Sequence, residues 1–240
     1  MDGQFDDWKW QMKNRISSVD ELAGSVHVSP RQREGIQNAA ESFAWAITPY
    51  YASLMDPRDP DCPIRRQVVP TEQELEDDLG VPDPLHEGKH SPVESIIQVY
   101  PDRVAFTVSK ECPTYCRHCL RKERVVGRDG CFTDWDRIEE GIQYVADNPE
   151  IRDVLLTGGD PLMMPNERLE KILSALHDIS SVEVLRIGSR APCTLPQRIT
   201  PELCDMLAQF HPLYLNTQFN HPREITPEAS EACSRLAAAG

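Results

Sequence analysis

The chain has 240 residues with a formal net charge of −14, and 40% of its residues are hydrophobic. This length fits one large domain such as an α/β barrel, and the hydrophobic fraction is sufficient for a substantial core. The acidic balance argues against nucleic acid or an anionic membrane as a partner. No apolar run reaches the roughly 18 residues of a membrane span, and the acidic, aromatic N-terminus does not fit a signal peptide. Eight cysteines without a secretion signal indicate a reducing, cytoplasmic location.

Residues 1–95 are predicted to form an N-terminal helical accessory region. Ser18 and Ser29 each begin a capping box, in which the serine oxygen accepts a backbone N–H and a Glu or Gln three residues later reaches back. The helix after Ser29 is predicted to span about residues 30–46. A third helix is predicted to start at Thr71, and the proline-rich stretch before it is expected to be irregular.

Residues 96–240 alternate between short apolar runs and helical patterns, four times over. Such alternation predicts a parallel sheet with right-handed crossovers. The predicted strands are 103–109, 153–157, 182–187 and 213–216, and the predicted helices are 134–147 (capped by Thr133), 167–178, 201–210 and 227–239.

Polar motifs follow the carboxyl end of each predicted strand. Because the carboxyl ends of parallel strands meet at one edge, α/β barrels place their chemistry there. Turns alone explain Gly, Asp and Asn at such positions, but they do not explain three cysteines, an arginine and a histidine. We therefore expect an active site at this edge. The motifs are 112–119, Gly158-Gly159-Asp160, Gly188-Ser189-Arg190 and 217–221.

Cys112, Cys116 and Cys119 have the spacing CxxxCxxC on the loop after the first of these strands. Three thiolates on one loop can hold a metal centre and leave one coordination position open. One interpretation is an iron–sulfur cluster. The other is a structural zinc site closed by His118 or Cys131. The spacing favours the cluster, because zinc sites usually have a second ligand pair a dozen or more residues away.

Other candidate site residues lie close to this edge or at the start of the first strand. Gly158 and Gly159 allow the backbone to approach a ligand, and Asp160 can accept from an ammonium group. Arg121 can clamp a carboxylate, although a solvated cation explains it equally well. Arg103 can pair with a phosphate, or it can be a surface arginine at a strand end.

Six segments resemble the lysine 2,3-aminomutase family, whose members are radical S-adenosylmethionine (SAM) enzymes that also use pyridoxal 5′-phosphate (PLP). The resemblance runs from residue 8 to residue 240, and the motifs occur in one order along the chain. The segments are ITPYYASLMDP (47–57), YPDRV (100–104), CPTYCRHCLRK (112–122), DVLLTGGDPL (153–162), RIGSRAPCTLPQRITPEL (186–203) and LNTQFNHPREIT (215–226).

The resemblance implies an α/β fold, a partial (β/α) barrel of the radical SAM type with four βα units of about six. The helical region 1–95 precedes this core, and the core, residues 96–240, is expected to be incomplete at its C-terminus. The implied reaction moves the amino group of an amino acid, with L-lysine expected, from C2 to C3 through a 5′-deoxyadenosyl radical and a PLP aldimine. Alternatives are a glutamate 2,3-aminomutase, a relative acting on protein-borne lysine, and a zinc-stabilised binding module without catalysis.

The resemblance also implies cofactors, partners and residue roles. The expected cofactors are a [4Fe-4S] cluster, SAM and PLP, and the expected partners are an amino-acid substrate, an electron donor such as flavodoxin or ferredoxin, and further copies of the chain. The PLP lysine and the residues that recognise the substrate side chain are expected beyond residue 240, so the chain alone is expected to be inactive. By position, the cluster would be bound by Cys112, Cys116 and Cys119. SAM would be contacted by Gly158, Gly159, Asp160 and Gln218, which is a histidine in some members. Arg121 would bind the substrate carboxylate, and Arg103 would bind the PLP phosphate.

Overall fold

The computed structural model describes residues 3–76, 80–81, 83–122 and 133–240. Its centre is a five-stranded sheet in the order β1-β2-β3-β4-β5. The first two strands pair antiparallel, and every later neighbour pairs in parallel. The strands are β1 Ile96–Tyr100, β2 Arg103–Ser109, β3 Asp153–Gly158, β4 Val184–Gly188 and β5 Leu213–Asn216.

The sheet confirms the predicted fold class. In the described residues, β1 and β5 lie at the two edges and do not pair with each other, so the sheet is an open, partial barrel. β1 was not predicted as a separate strand. It turns back into β2 through Pro101 and Asp102, and Tyr100 pairs with Arg103 across that turn.

Helices flank the sheet, as the alternating pattern predicts. The helices are α1 Trp8–Lys13, α2 Val19–Ala23, α3 Pro30–Ser42, α4 Pro49–Ser53, α5 Pro63–Arg66, α6 Trp135–Asp147, α7 Asn166–His177, α8 Ala191–Thr194, α9 Pro201–Leu207 and α10 Pro227–Ala238. Both predicted capping boxes, at Ser18 and Ser29, are formed. The segment after Thr71 is a short 3-10 helix, Glu72–Leu75, also with a capping box.

Two predicted helix details are wrong. Helix α3 ends at Ser42 rather than near residue 46, because the backbone of Phe43 is extended (φ −129°, ψ 109°). Thr133 does not cap α6, because its hydroxyl donates to the backbone oxygen of Thr107 in β2 at 3.0 Å. The N-cap position of α6 is Asp134 instead.

The buried apolar residues form two clusters. One lies between the sheet and its helices and includes Phe106, Leu156 and Ile187. The other lies in the N-terminal region and also includes Cys193 of helix α8, which follows β4. Because a residue of the core packs in the N-terminal cluster, the two regions contact each other. The domain boundary near residue 95 stays a prediction. No described helix has the length and apolar character that a membrane crossing requires.

Candidate active site

The predicted metal-binding cysteines share one loop directly after β2. Cys112, Cys116 and Cys119 are free thiols of intermediate exposure. The loop is tight, since the Cys119 N–H donates to the Cys116 oxygen at 3.1 Å. Burial raises the pKa of Cys112 well above its ordinary value, and the neighbouring Asp160, Cys116 and Cys119 raise it further. The three thiols therefore lie on one short, tightly turned loop.

The N-terminal region holds this loop in place. The described loop residues form no long helix or strand of their own, so their backbone groups need partners from elsewhere. Three such partners, and a fourth bond to a side chain of the loop, come from the first 70 residues, which makes the region more than an accessory layer. The bonds are Arg15 Nη1 to Cys112 O at 2.7 Å, Tyr115 N to Ala46 O at 3.0 Å and Arg117 N to Gln67 O at 2.7 Å, and Thr48 N to Thr114 Oγ1 at 3.3 Å.

The donor set of this loop fits an iron–sulfur cluster better than a zinc ion. Among the described residues, no three His, Cys, Asp or Glu side chains surround one point as a single metal ion requires. A cubane cluster places less demand on convergence, because each cysteine binds a different iron. His118 is exposed, and Cys131, the other suggested zinc ligand, lies outside the described residues. Among the residues that the structure describes, the three thiols of this loop match the ligand set of a cluster with one open iron.

Gly158 and Gly159 bring the end of β3 against the start of the cysteine loop. Gly158 has φ +112°, and a Cβ there would lie 2.3 Å from the backbone oxygen of Ser109. A Cβ on Gly159 would lie 2.6 Å from the backbone oxygen of Glu111. The structure thus uses both glycines for close approach of two backbone segments; their predicted contact with SAM stays a prediction.

Asp160 is 3% exposed and ties the loops after β3 and β4 together. Its Oδ1 accepts from Leu162 N at 3.0 Å and Ser189 Oγ at 2.7 Å, and its Oδ2 accepts from Arg190 N at 2.9 Å and Ala191 N at 3.1 Å. Burial raises the pKa of Asp160, although these hydrogen bonds oppose the shift. A carboxylate has about four acceptor positions, so contact with SAM would require one of these bonds to be exchanged.

Sequence reasoning did not assign a role to Arg190, yet it lies at the centre of the site. Its Nη1 donates to Cys116 Sγ at 2.9 Å. Its Nη2 lies 2.8 Å from Glu224 Oε1, 2.6 Å from Gln67 Oε1 and 3.1 Å from the Tyr51 hydroxyl. Its Nε is buried and has no hydrogen-bond partner. The guanidinium therefore connects the cysteine loop to a buried polar network.

Glu224 is the anion of this network and is fully buried. It accepts from the Tyr51 hydroxyl and from Asn220 N, both at 2.5 Å. Burial alone would raise the pKa of Glu224, but these hydrogen bonds and the charge of Arg190 lower it on balance. The side chains of Glu224 and Arg190 are 0% and 10% exposed, so they form a buried ion pair. Tyr51, Arg190 and Glu224 each lie in a segment that carries the family resemblance, which is the signal that could have indicated them.

The remaining predicted site residues lie in different places. Arg121 follows the cysteine loop and forms an ion pair with the buried Glu87 at 2.8 Å. Arg103 is exposed at the opposite end of β2 from the cysteines, paired with Asp102 at 2.9 Å. Gln218 is exposed just after β5. The structure thus brings Arg121 near the cysteines but not Arg103, and the assigned roles of all three stay predictions.

Comparison with known families supports the interpretation of this site. Residues 106–233 match the family described as the radical SAM superfamily. The match covers more than half of the chain and contains the cysteine loop, so the chain belongs to the radical SAM superfamily. This family implies a [4Fe-4S] cluster and SAM.

Curated relatives place the chain more narrowly. It is 49% identical over 240 residues to an L-lysine 2,3-aminomutase of Fusobacterium nucleatum, which covers all of this chain and 56% of the relative. It is 47% identical over 240 residues to that of Clostridium subterminale, covering all of this chain and 58% of the relative. It is 46% identical over 243 residues to a glutamate 2,3-aminomutase of Clostridioides difficile, covering all of this chain and 57% of the relative. The predicted resemblance to the lysine 2,3-aminomutase family is confirmed, and the chain spans a little more than half the length of these relatives.

Proposed function

We propose that the chain forms the cluster- and SAM-binding part of an amino-acid 2,3-aminomutase, with L-lysine as the substrate. The observation that carries this proposal is the loop with Cys112, Cys116 and Cys119, held at the carboxyl ends of a parallel sheet beside Arg190. When bound, the cluster and SAM supply the radical that removes hydrogen, and PLP holds the amino acid while its nitrogen moves from C2 to C3.

The residues of the chain hold and orient these groups. Cys112, Cys116 and Cys119 are the cluster ligands. Arg190 donates to the sulfur of Cys116, and its ion pair with Glu224 fixes the guanidinium. The Asp160 carboxylate accepts from the backbone N–H of Arg190, so the backbone and the guanidinium of this residue are both held in place beside Cys116.

The other assigned residues complete the proposed site. Asp160 positions the backbone of Arg190 and contacts the SAM amino group only if one of its internal bonds is exchanged. Arg121 has donors beyond those used by Glu87 and holds the substrate carboxylate through them. Gln218 contributes to SAM binding. The assignment of Arg103 to the PLP phosphate rests on the resemblance alone, since Arg103 lies at the opposite end of β2 from the cysteines and pairs with Asp102.

The whole reaction requires more than these groups. The sequence resemblance assigns the PLP-binding lysine to a part of the family's sequence that these 240 residues do not include. We infer that the 240-residue chain binds the cluster and cleaves SAM, but does not form β-lysine. The expected electron donor is a flavodoxin or ferredoxin, and the active assembly is expected to be a homo-oligomer.

A direct assay tests this proposal. The reconstituted 240-residue chain is reduced anaerobically with dithionite in the presence of SAM, PLP and L-lysine, and the products are separated by chromatography. We expect slow release of 5′-deoxyadenosine without β-lysine, and no release from a Cys116→Ala control. β-Lysine formation would contradict the need for further residues, and a fully loaded cluster that never cleaves SAM would contradict the radical SAM assignment.

Glutamate is the second candidate substrate. The glutamate 2,3-aminomutase relative is 46% identical, close to the 47–49% of the two lysine enzymes. The overall identity therefore does not separate the two amino acids. Supplying L-glutamate and L-lysine in turn to the protein translated from the longest reading frame that contains this chain would decide between them.

A further inference from the structure

A second cavity lies in the N-terminal region and is separate from the cysteine loop. It has a volume of about 630 Å³ and lies between the first turn of α3, helix α5 and the 3-10 helix Glu72–Leu75. This volume lies within the range of small-molecule binding sites. None of the three cluster cysteines lines it.

The lining of this cavity is rich in cations. Four arginines face it, Arg31, Arg58, Arg65 and Arg66, together with two carboxylates. In the part of the chain that the structure describes, none of the four forms an ion pair. The four guanidinium groups outnumber the two carboxylates of the lining, so this part of a chain of net charge −14 carries a local positive field that attracts anions.

Arg65 is the member of this group that most requires a ligand. It is 4% exposed, and its described hydrogen bonding is limited to Nη1 donating to the His27 oxygen at 2.9 Å. Burial lowers the pKa of Arg65, and the influence of Cys62 and Asp59 opposes this shift without cancelling it, because a buried cation needs a close counter-charge to offset its desolvation. The remaining side-chain nitrogens of Arg65 are not closed off from solvent. Because Arg65 lines the cavity, a ligand in the cavity can reach them. A bound anion would supply the missing acceptors.

Two further features define the chemistry of the ligand. Ser29 and Gln32, at the start of the 13-residue helix α3, line the cavity, and the first turn of that helix has no acidic residue. The positive end of the helix dipole therefore adds to the field of the arginines. Ile36 and Val69 form an apolar part of the cavity wall. Such a surface packs against the organic group of a ligand, whereas inorganic phosphate has no apolar part to place there.

We propose that this cavity binds a phosphorylated small molecule of nucleotide size. The guanidinium groups bind its phosphates, since Arg presents paired donors that match phosphate oxygens. The apolar wall accommodates the organic part. This site is independent of the proposed aminomutase chemistry, because it contains none of the cluster or SAM residues.

Binding can be measured on the cluster-free chain by titration calorimetry at constant ionic strength. The probes are ADP, pyrophosphate, orthophosphate and adenosine. We expect one saturable site for ADP and for pyrophosphate, with ADP the tighter, and no binding of adenosine. Binding of adenosine as tight as that of ADP, or no saturable binding of either ADP or pyrophosphate, would overturn the proposal.

Variants locate the site. Arg31→Gln and Arg66→Gln remove exposed lining residues, so they leave the fold intact, and each is expected to weaken ADP binding by about tenfold. The matched control is Arg33→Gln, which removes a charge from the same helix outside the cavity, where Arg33 pairs with Asp20. The control should change the dissociation constant by less than about twofold. If Arg31→Gln and Arg66→Gln bind ADP as the control does, the assignment of the cavity is wrong.

Discussion

Replacing Glu224 by glutamine tests the buried network beside the cysteine loop. The ion pair with Arg190 has exposures of 0% and 10%, and its atoms are 2.8 Å apart. Removing one partner of a buried pair leaves the other charge uncompensated and costs about 3–5 kcal/mol. The glutamine keeps the shape and one carbonyl acceptor for the Tyr51 hydroxyl. We therefore expect Glu224→Gln to lower the free energy of unfolding by about 3 kcal/mol, the lower end of that range.

Urea unfolding of the cluster-free chain at pH 7, followed by circular dichroism, measures this loss. The matched control is Glu231→Gln, whose exposed partner Arg235 lies one turn away on α10 and whose pair contributes only about 0.3–0.5 kcal/mol. The double variant Glu224→Gln, Arg190→Gln should lose less than the sum of the single variants, because both buried charges are then removed together. A loss below about 1 kcal/mol for Glu224→Gln would refute the assignment of a buried ion pair.

The charge of Glu224 also sets the pH dependence of this loss. The pKa of Glu224 is lowered in the folded chain, whereas an unfolded glutamate titrates near about 4.3. At a pH between the two pKa values the unfolded chain binds more protons than the folded chain. The stability that Glu224 contributes is therefore present above the pKa of the unfolded state, and it is lost as the pH falls through the pKa of the folded state. The difference in unfolding free energy between the wild type and Glu224→Gln should therefore shrink below pH about 4.3. A difference that stays constant down to the acid limit of the fold would contradict the lowered pKa.

Three further predictions concern the site. Cys116→Ala should abolish cluster binding, whereas the control Cys204→Ala, in helix α9, should retain the cluster. Analysis of bound iron measures this in both variants. A full iron content in Cys116→Ala would remove Cys116 from the ligand set. Gly158→Ala should lower the free energy of unfolding by about 3 kcal/mol or more, because φ is +112° and a methyl group would lie 2.3 Å from a backbone oxygen. The control is Gly3→Ala, whose methyl group would meet nothing within 4 Å. Equal stability of the two variants would contradict the close approach at Gly158. Asp160→Asn should weaken SAM binding in equilibrium dialysis and leave the iron content unchanged, since the amide cannot accept from all four of its present donors; unchanged SAM affinity would separate this carboxylate from the SAM site.

The repeats of the core were predictable because their determinants are local. Strand β2 has the predicted bounds Arg103–Ser109, and β5 has the predicted bounds Leu213–Asn216. The preceding strand β1 was missed, because only Pro101 and Asp102 separate its apolar run from that of β2. The role of Thr133 was also mispredicted. Its hydroxyl can bond either to the first turn of helix α6 or to a carbonyl of β2, and only the tertiary structure shows that it donates to β2.

The site was predictable only in part for the same reason. The cysteines occupy one loop, so their spacing in the sequence already indicates a metal centre. The network around Arg190 is assembled from distant segments. Along the chain, Tyr51 is separated from Arg190 by 139 positions and from Glu224 by 173 positions. No spacing rule connects such residues. The sequence pattern did place Asp160 and the segment after β4 at the same edge of the sheet, but it did not indicate that Ser189, Arg190 and Ala191 donate to this carboxylate.

The central claim is that Cys112, Cys116 and Cys119 hold a cluster with one iron open to SAM. Anaerobic reconstitution of the 240-residue chain with iron and sulfide, followed by metal analysis and electron paramagnetic resonance of the reduced protein, tests it directly. The account predicts a brown protein with about four irons per chain and a resonance spectrum that changes when SAM is added. A colourless protein that binds one zinc per chain in place of iron would contradict it.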